Sequence, residues 1–224
     1  MFDHRRYVPI LRWKEAERLA LRNLGEDIRG RITPLVQLVP ESIAVGKRTP
    51  TASHALLKIT SDMRDCWGKR TLWVDLLRID SRLRINGSVH PLAYLAKNAR
   101  ANLISMVPVT GLHRDAAYQA AVKEAVAEDK RGACLRLFRG DLGNASLRSE
   151  TQRLLKQLQL DPCHVDLVID MECHDGNYPD FDRLSSSAPN IREWRSFGVA
   201  SGAFPPDLTQ WKMPGFTQSL GWIG

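Results

Sequence analysis

The chain has 224 residues, 43% hydrophobic and 25% charged, which fits a globular protein with a sizeable core and excludes a fibrous or intrinsically disordered one. No apolar run approaches the roughly 18 residues of a membrane helix, and the opening Met1-Phe2-Asp3-His4-Arg5-Arg6 lacks the apolar stretch of a secretion signal. The expectation is a soluble, cytoplasmic protein with no membrane association. A formal net charge of +7 favours polyanionic partners, but the basic residues are spread along the chain without the aromatic-interleaved stripe that marks nucleic-acid binders. Cys66, Cys134, Cys163 and Cys173 form no C-x-x-C pair, so reduced thiols are expected rather than a disulfide framework or a zinc knuckle.

Taken in chain order, short apolar runs alternate with segments of helical periodicity. Tyr7 to Arg12 reads as a first strand, and Ala16, Leu19, Ala20, Leu24 and Ile28 as the apolar stripe that follows it. Ile32 to Val39 is the second strand, and its helix aligns Ala52, Ala55, Leu56, Ile59 and Met63. Thr71 to Leu77 is the third. After an Asn86-Gly87-Ser88 turn, Leu92, Leu95, Ala96, Ala99 and Leu103 line the next helix, and Ile104 to Val109 is the fourth strand. Asp115 is placed to cap a helix that ends in Glu128-Asp129-Lys130-Arg131-Gly132. Cys134 to Phe138 is strand five, Ser146 is expected to cap a fifth helix through Leu158, Val165 to Met171 is strand six, and Ser196 to Ala200 strand seven.

Near-continuous apolar strands alternating with helices belong to parallel sheets covered on both faces. The first β/α turn, Arg12-Trp13-Lys14-Glu15, lacks the glycine-rich phosphate loop of a doubly wound sheet, so the pattern predicts an α/β fold of the parallel (β/α)-barrel, TIM-barrel-like kind. About seven units are visible over a single domain spanning 1–224, and residues 203–224 read as an irregular or truncated tail. An incomplete barrel leaves edge strands, which predicts dimerisation through that edge or reliance on a partner.

Working residues in such barrels stand at the C-terminal ends of the strands. Asp75, Arg136 and Asp170 each interrupt an apolar strand, where a lone charge is costly and must be paired or solvated. Strand alternation puts Glu172 on the face of Asp170, with His174 two residues further on. Asp75, Asp170 and Glu172 are therefore candidate oxygen ligands for Mg or Mn, with Arg136, Lys14 and His174 as candidate catalytic groups that hold a phosphate or move a proton. The competing expectation is that Arg136 simply neutralises aspartates inside the barrel. His113 and Arg114, at the start of a helix, are candidate anion-binding residues. No G-x-S-x-G, H-E-x-x-H or P-loop pattern is present.

Several segments carry a family resemblance: Tyr7-Val8-Pro9-Ile10-Leu11-Arg12-Trp13-Lys14, Ile32-Thr33-Pro34-Leu35, His90-Pro91-Leu92-Ala93-Tyr94-Leu95, and Val107 through Tyr118. Cys134-Leu135-Arg136-Leu137, Asp166 to Asp170, Trp194-Arg195-Ser196 and Ser201-Gly202-Ala203-Phe204-Pro205-Pro206 extend it over nearly the whole chain. Together they resemble the bacteriophage beta-protein family. The resemblance implies a phage or bacterial host-interaction setting and supplies no catalytic residues. Members of that family continue beyond the point matching Phe204-Pro205-Pro206, which implies a shortened chain here.

Two functions follow as expectations. One is a non-enzymatic interaction module that binds a protein or a polyanion, nucleic acid included. The other is a metal-assisted hydrolase or lyase acting on a phosphorylated substrate or nucleic acid.

Overall fold

A computed structural model describes residues 6–44, 51–173 and 191–202. Within them seven strands form one parallel sheet in sequential order: β1 (Ile10–Arg12), β2 (Leu35–Gln37), β3 (Leu72–Asp75), β4 (Met106–Thr110), β5 (Ala133–Phe138), β6 (Val165–Cys173) and β7 (Ser196–Gly202). The helices between them are α1 (Glu15–Asn23), α2 (Glu26–Arg29), α3 (Ala52–Trp67), α4 (Pro91–Ala101), α5 (Ala116–Asp129) and α6 (Leu147–Leu158). The sheet curls into a nearly closed barrel, as the strand–helix repeat predicts. The expected tail, 203–224, lies outside the described residues, and no helix among them is long and apolar enough to cross a membrane.

Strand alternation divides the apolar residues into two layers. Leu35, Trp73, Val107, Val109, Cys134 and Val168 point inward and pack together with Val8, Ile10 and Ala200 as the barrel lining. Val36, Leu72, Val74, Met106, Leu135, Leu137 and Leu167 point outward and pack against the helices in the larger core. This explains why the strands read as unbroken apolar runs: both faces are buried.

The helix stripes hold where a helix has neighbours on both sides. Ala55, Leu56, Ile59 and Met63 of α3 and Leu92, Leu95, Ala96 and Ala99 of α4 are buried. Thr51 Oγ1 accepts the His54 N–H at the start of α3, and Asp115 accepts the Tyr118 N–H at the start of α5.

Three local expectations are corrected. The apolar stripe assigned to the first helix is rotated: Leu19 is exposed, Leu21 is buried, and Arg18 turns inward to pair with Asp62 of α3. That helix stands at the open edge of the barrel, packs against α3, and has no seventh or eighth helix among the described residues on its other flank. Leu103 leaves the core because it lies beyond the end of α4 in left-handed backbone at φ 56°, where it is exposed. Ser146 occupies the cap position of α6 without its side chain accepting a helix N–H, while Asn144 Oδ1 receives the Ser146 N–H instead.

Candidate functional site

The C-terminal mouth of the barrel is organised around one guanidinium. Arg136, on the inward side of β5, donates through Nη1 to Asp75 Oδ2 at 2.7 Å and through Nε to Asp170 Oδ2 at 3.0 Å, with Nη2 also bonded to Asp170. Asp75 ends β3 and is 0% exposed, and its second oxygen accepts from Arg114 Nη2 at 2.8 Å. Two carboxylates and two guanidiniums thus neutralise one another in a buried network, which is the condition for keeping charge in a low-dielectric interior. Burial opposes the charge on Arg136, but Asp75 and then Asp170 offset it and hold its pKa above the ordinary arginine value.

The same carboxylates shape the loops. Asp75 Oδ1 accepts the Leu77 N–H and Asp170 Oδ1 the Glu172 N–H, both at 2.8 Å, so each aspartate clamps the backbone two residues beyond itself. Arg114 lies over the ring of Tyr118, whose hydroxyl donates to the Val109 carbonyl and accepts the Leu76 N–H. Burial first, then the charge of Asp75, pushes the Tyr118 hydroxyl well above its usual range. At the other end of the barrel, Arg195 donates twice to Asp166 near the start of β6, a bidentate pair.

Between these ends lies a cavity of about 960 Å³ that reaches from the mouth down the side between β1 and β7. Arg12, Gln37 and Arg78 form one polar wall of it, and Asp170 and Glu172 face them from β6. Arg12 is exposed and makes no hydrogen bond or ion pair with the described residues. Gln37 is buried, and its Oε1 accepts from Arg78 Nε at 3.3 Å. The Arg136 guanidinium carbon lies over the ring of Phe138, 5.0 Å from its centroid.

The sequence candidates distribute unevenly over this geometry. Asp75, Arg136 and Asp170 converge. Glu172 also reaches the cavity, by a different route from simple alternation: the β6–β7 register shifts between Asp170 and Cys173, and Glu172 sits in the left-handed region at φ 57°. Lys14 does not converge with them; it is exposed at the N-terminus of α1 and does not line the cavity. Arg114 is not an open anion site, since its side chain is buried against Asp75, and His113 Nε2 is bonded to Asp141 at 2.7 Å. His174 lies outside the described residues.

Two of the three expected metal ligands, Asp75 and Asp170, are already engaged by arginines. Among the described residues no three His, Cys, Asp or Glu side chains are grouped to hold an ion, and both oxygens of Asp75 are taken by arginines and a backbone N–H. Sequence reasoning missed Arg12, Gln37 and Arg78. Arg12 and Gln37 stand two residues after the inward Ile10 and Leu35, so the alternation that placed Glu172 on the face of Asp170 contained the signal for both.

A family model described as Beta protein matches residues 7–220. A search of curated proteins returned no match. Among solved structures, the fold is similar to a GH18 chitinase from Pseudoalteromonas aurantia, at 11% identity over 81% of this chain and 77% of that one, with a TM-score of 0.50. A family 18 chitinase from Crocus vernus is 12% identical over 77% of this chain and 66% of that one, with a TM-score of 0.45. At 11% identity the likeness to the first of these is one of fold alone.

Proposed function

The chain belongs to the Beta protein family, and from that premise we propose that it is a binding module whose barrel mouth captures an anionic group of a protein or polyanion in a phage or host-defence setting. One observation carries this reading. The charges inside the barrel cancel, whereas Arg12 projects into the cavity with no partner among the described residues, beside Arg78 and the Gln37 amide. An incoming phosphate or carboxylate meets donors there that need not abandon a buried carboxylate. The cytosol is the compartment this reading favours: Cys66 and Cys134 are buried and unpaired, and burial raises the Cys134 thiol far above its ordinary pKa, which makes it inert.

Calorimetric titration of the full chain with tripolyphosphate tests it. Saturable binding that weakens with salt, and weakens about tenfold or more in an Arg12→Ala/Arg78→Ala variant, is the expected result. Absence of binding, or a variant that binds as well as the parent, defeats the reading.

A metal-assisted hydrolase or lyase acting on a phosphorylated substrate or nucleic acid has one observation in its favour, the exposed Glu172 carboxylate held in left-handed backbone beside Asp170. Against it, Mg or Mn would have to displace Arg136 from Asp170 and leave a buried guanidinium short of a partner. Titration with either ion decides: heat of binding that disappears in Glu172→Gln would revive it.

A further inference from the structure

We propose that the seam between β1 and β7 is a docking slot for an extended strand of a separate polypeptide, apolar at alternate positions and acidic at its C-terminal end, which enters as the eighth strand of the barrel. This goes beyond the anion-binding reading, because it stands on the backbone edges of the seam and not on the mouth.

The two edges are complementary to such a strand. On β1 and the residues before it, Tyr7 N–H donates to Arg31, Thr33 N–H donates to Tyr7, and Leu35 N–H donates to Pro9. Odd-numbered residues therefore face β2, and alternation turns the N–H and C=O of Val8 and Ile10 toward the seam. On β7, Arg195 N–H donates to Val165, so Phe197 and Val199 face β6, while Gly198 and Ala200 direct their backbone groups outward. β1 pairs only with β2, and β7 only with β6, among the described strands. Two parallel edges facing one cavity form a template that a polypeptide backbone satisfies and a nucleic acid does not.

The interior of the slot has room for side chains. A Cβ built on Gly198 meets nothing within 4 Å, and Ala200 is the next inward residue. Val8, Ile10, Trp73 and Val168 line the same cavity, so inward positions of the incoming strand meet apolar surface. In a closed barrel those positions are filled by the eighth strand. Arg12 stands at the C-terminal end of β1 without a partner among the described residues, which sets the polarity: an acidic residue at the matching end of a parallel strand is complementary to it.

The test uses the full chain and a fluorescent, end-blocked seven-residue peptide of alternating threonine and valine that terminates in aspartate. Expected are saturable binding by polarisation, slowed amide exchange at Val8, Ile10, Gly198 and Ala200, and binding about tenfold weaker in Gly198→Phe, whose Cβ enters open space and whose ring occupies the slot. An Arg12→Glu variant should prefer the same peptide ending in lysine, and this holds even if Gly198→Phe folds poorly. The proposal fails if the alternately N-methylated peptide binds as well, if oligothymidylate displaces the peptide, or if those amides are already slow in the peptide-free chain. It also fails if sedimentation shows that a second copy covers the seam. Tripolyphosphate binding that persists while peptide binding fails would leave the anion reading intact and remove this one.

Discussion

Arg136 and Asp75, 61 positions apart in the chain, meet at 2.7 Å in the centre of the barrel mouth. Neither strand could hold its charge alone. Asp75 is fully buried at the end of β3 and Arg136 is almost so in β5, and Asp170 on β6 completes the bridge. The network closes three strands against one another and positions the loops that follow them.

Removing the guanidinium should therefore be severe. Arg136→Met leaves two buried carboxylates without their shared partner, and a loss of about 3–5 kcal/mol is expected from the general cost of orphaning a buried charge. Urea unfolding followed by far-UV circular dichroism measures it. A change below about 1 kcal/mol would mean that water reaches the carboxylates and that the network is not dry.

Because Asp75 and Arg136 act as a unit, their losses should not add. Arg136→Met and Asp75→Asn together should cost less than the sum of the two single variants, with a coupling of about 0.5–3 kcal/mol. Strict additivity in this double-mutant cycle would contradict the direct contact.

Gly132 supplies a separate check on the fold. It lies in left-handed backbone at φ 70°, and a Cβ there would overlap the His164 carbonyl where β5 and β6 begin side by side. Gly132→Ala should lower stability by roughly 1–3 kcal/mol, through both the backbone conformation and the overlap. A melting temperature unchanged from the parent would show that this close approach is absent in solution.

His90 gives the molecule a defined acid sensitivity. Its Nδ1 accepts the Leu92 N–H at the start of α4, and its pKa is lowered by burial and by Arg84, with Asp115 opposing. The unfolded chain thus takes up the proton first. Stability from this group is full above the unfolded value of about 6.5 and is lost as pH falls through the lowered folded value. His90→Asn keeps a capping side chain and removes the titration, so its denaturation midpoint should vary less between pH 7 and pH 5 than that of the parent. Equal slopes in the two proteins would assign the acid sensitivity to other groups.

How far the sequence reaches depends on whether a feature is local. The seven strands, the stripes of α3 and α4 and the Asp115 cap were legible because apolar period, turn residues and capping chemistry act within a few residues of one another. The same local logic marked Asp75, Arg136 and Asp170 as misplaced charges that needed partners. It also offered Arg136 as their neutralising partner, which the contacts with Asp75 and Asp170 match, but it could not say that Arg114 turns inward to share Asp75 while the neighbouring His113 goes to Asp141.

The order of residues by itself determined an alternating β/α chain with charges buried in its strands, since covering both faces of a parallel sheet requires nothing else. Tertiary structure alone decided which charges cancel and which remain available. That depends on barrel curvature and strand register, which bring Arg136 between two carboxylates and leave Arg12 lining the cavity beside β7 with no partner among the described residues. Distances across a barrel are set by packing among strands far apart in the chain, and no local pattern encodes them.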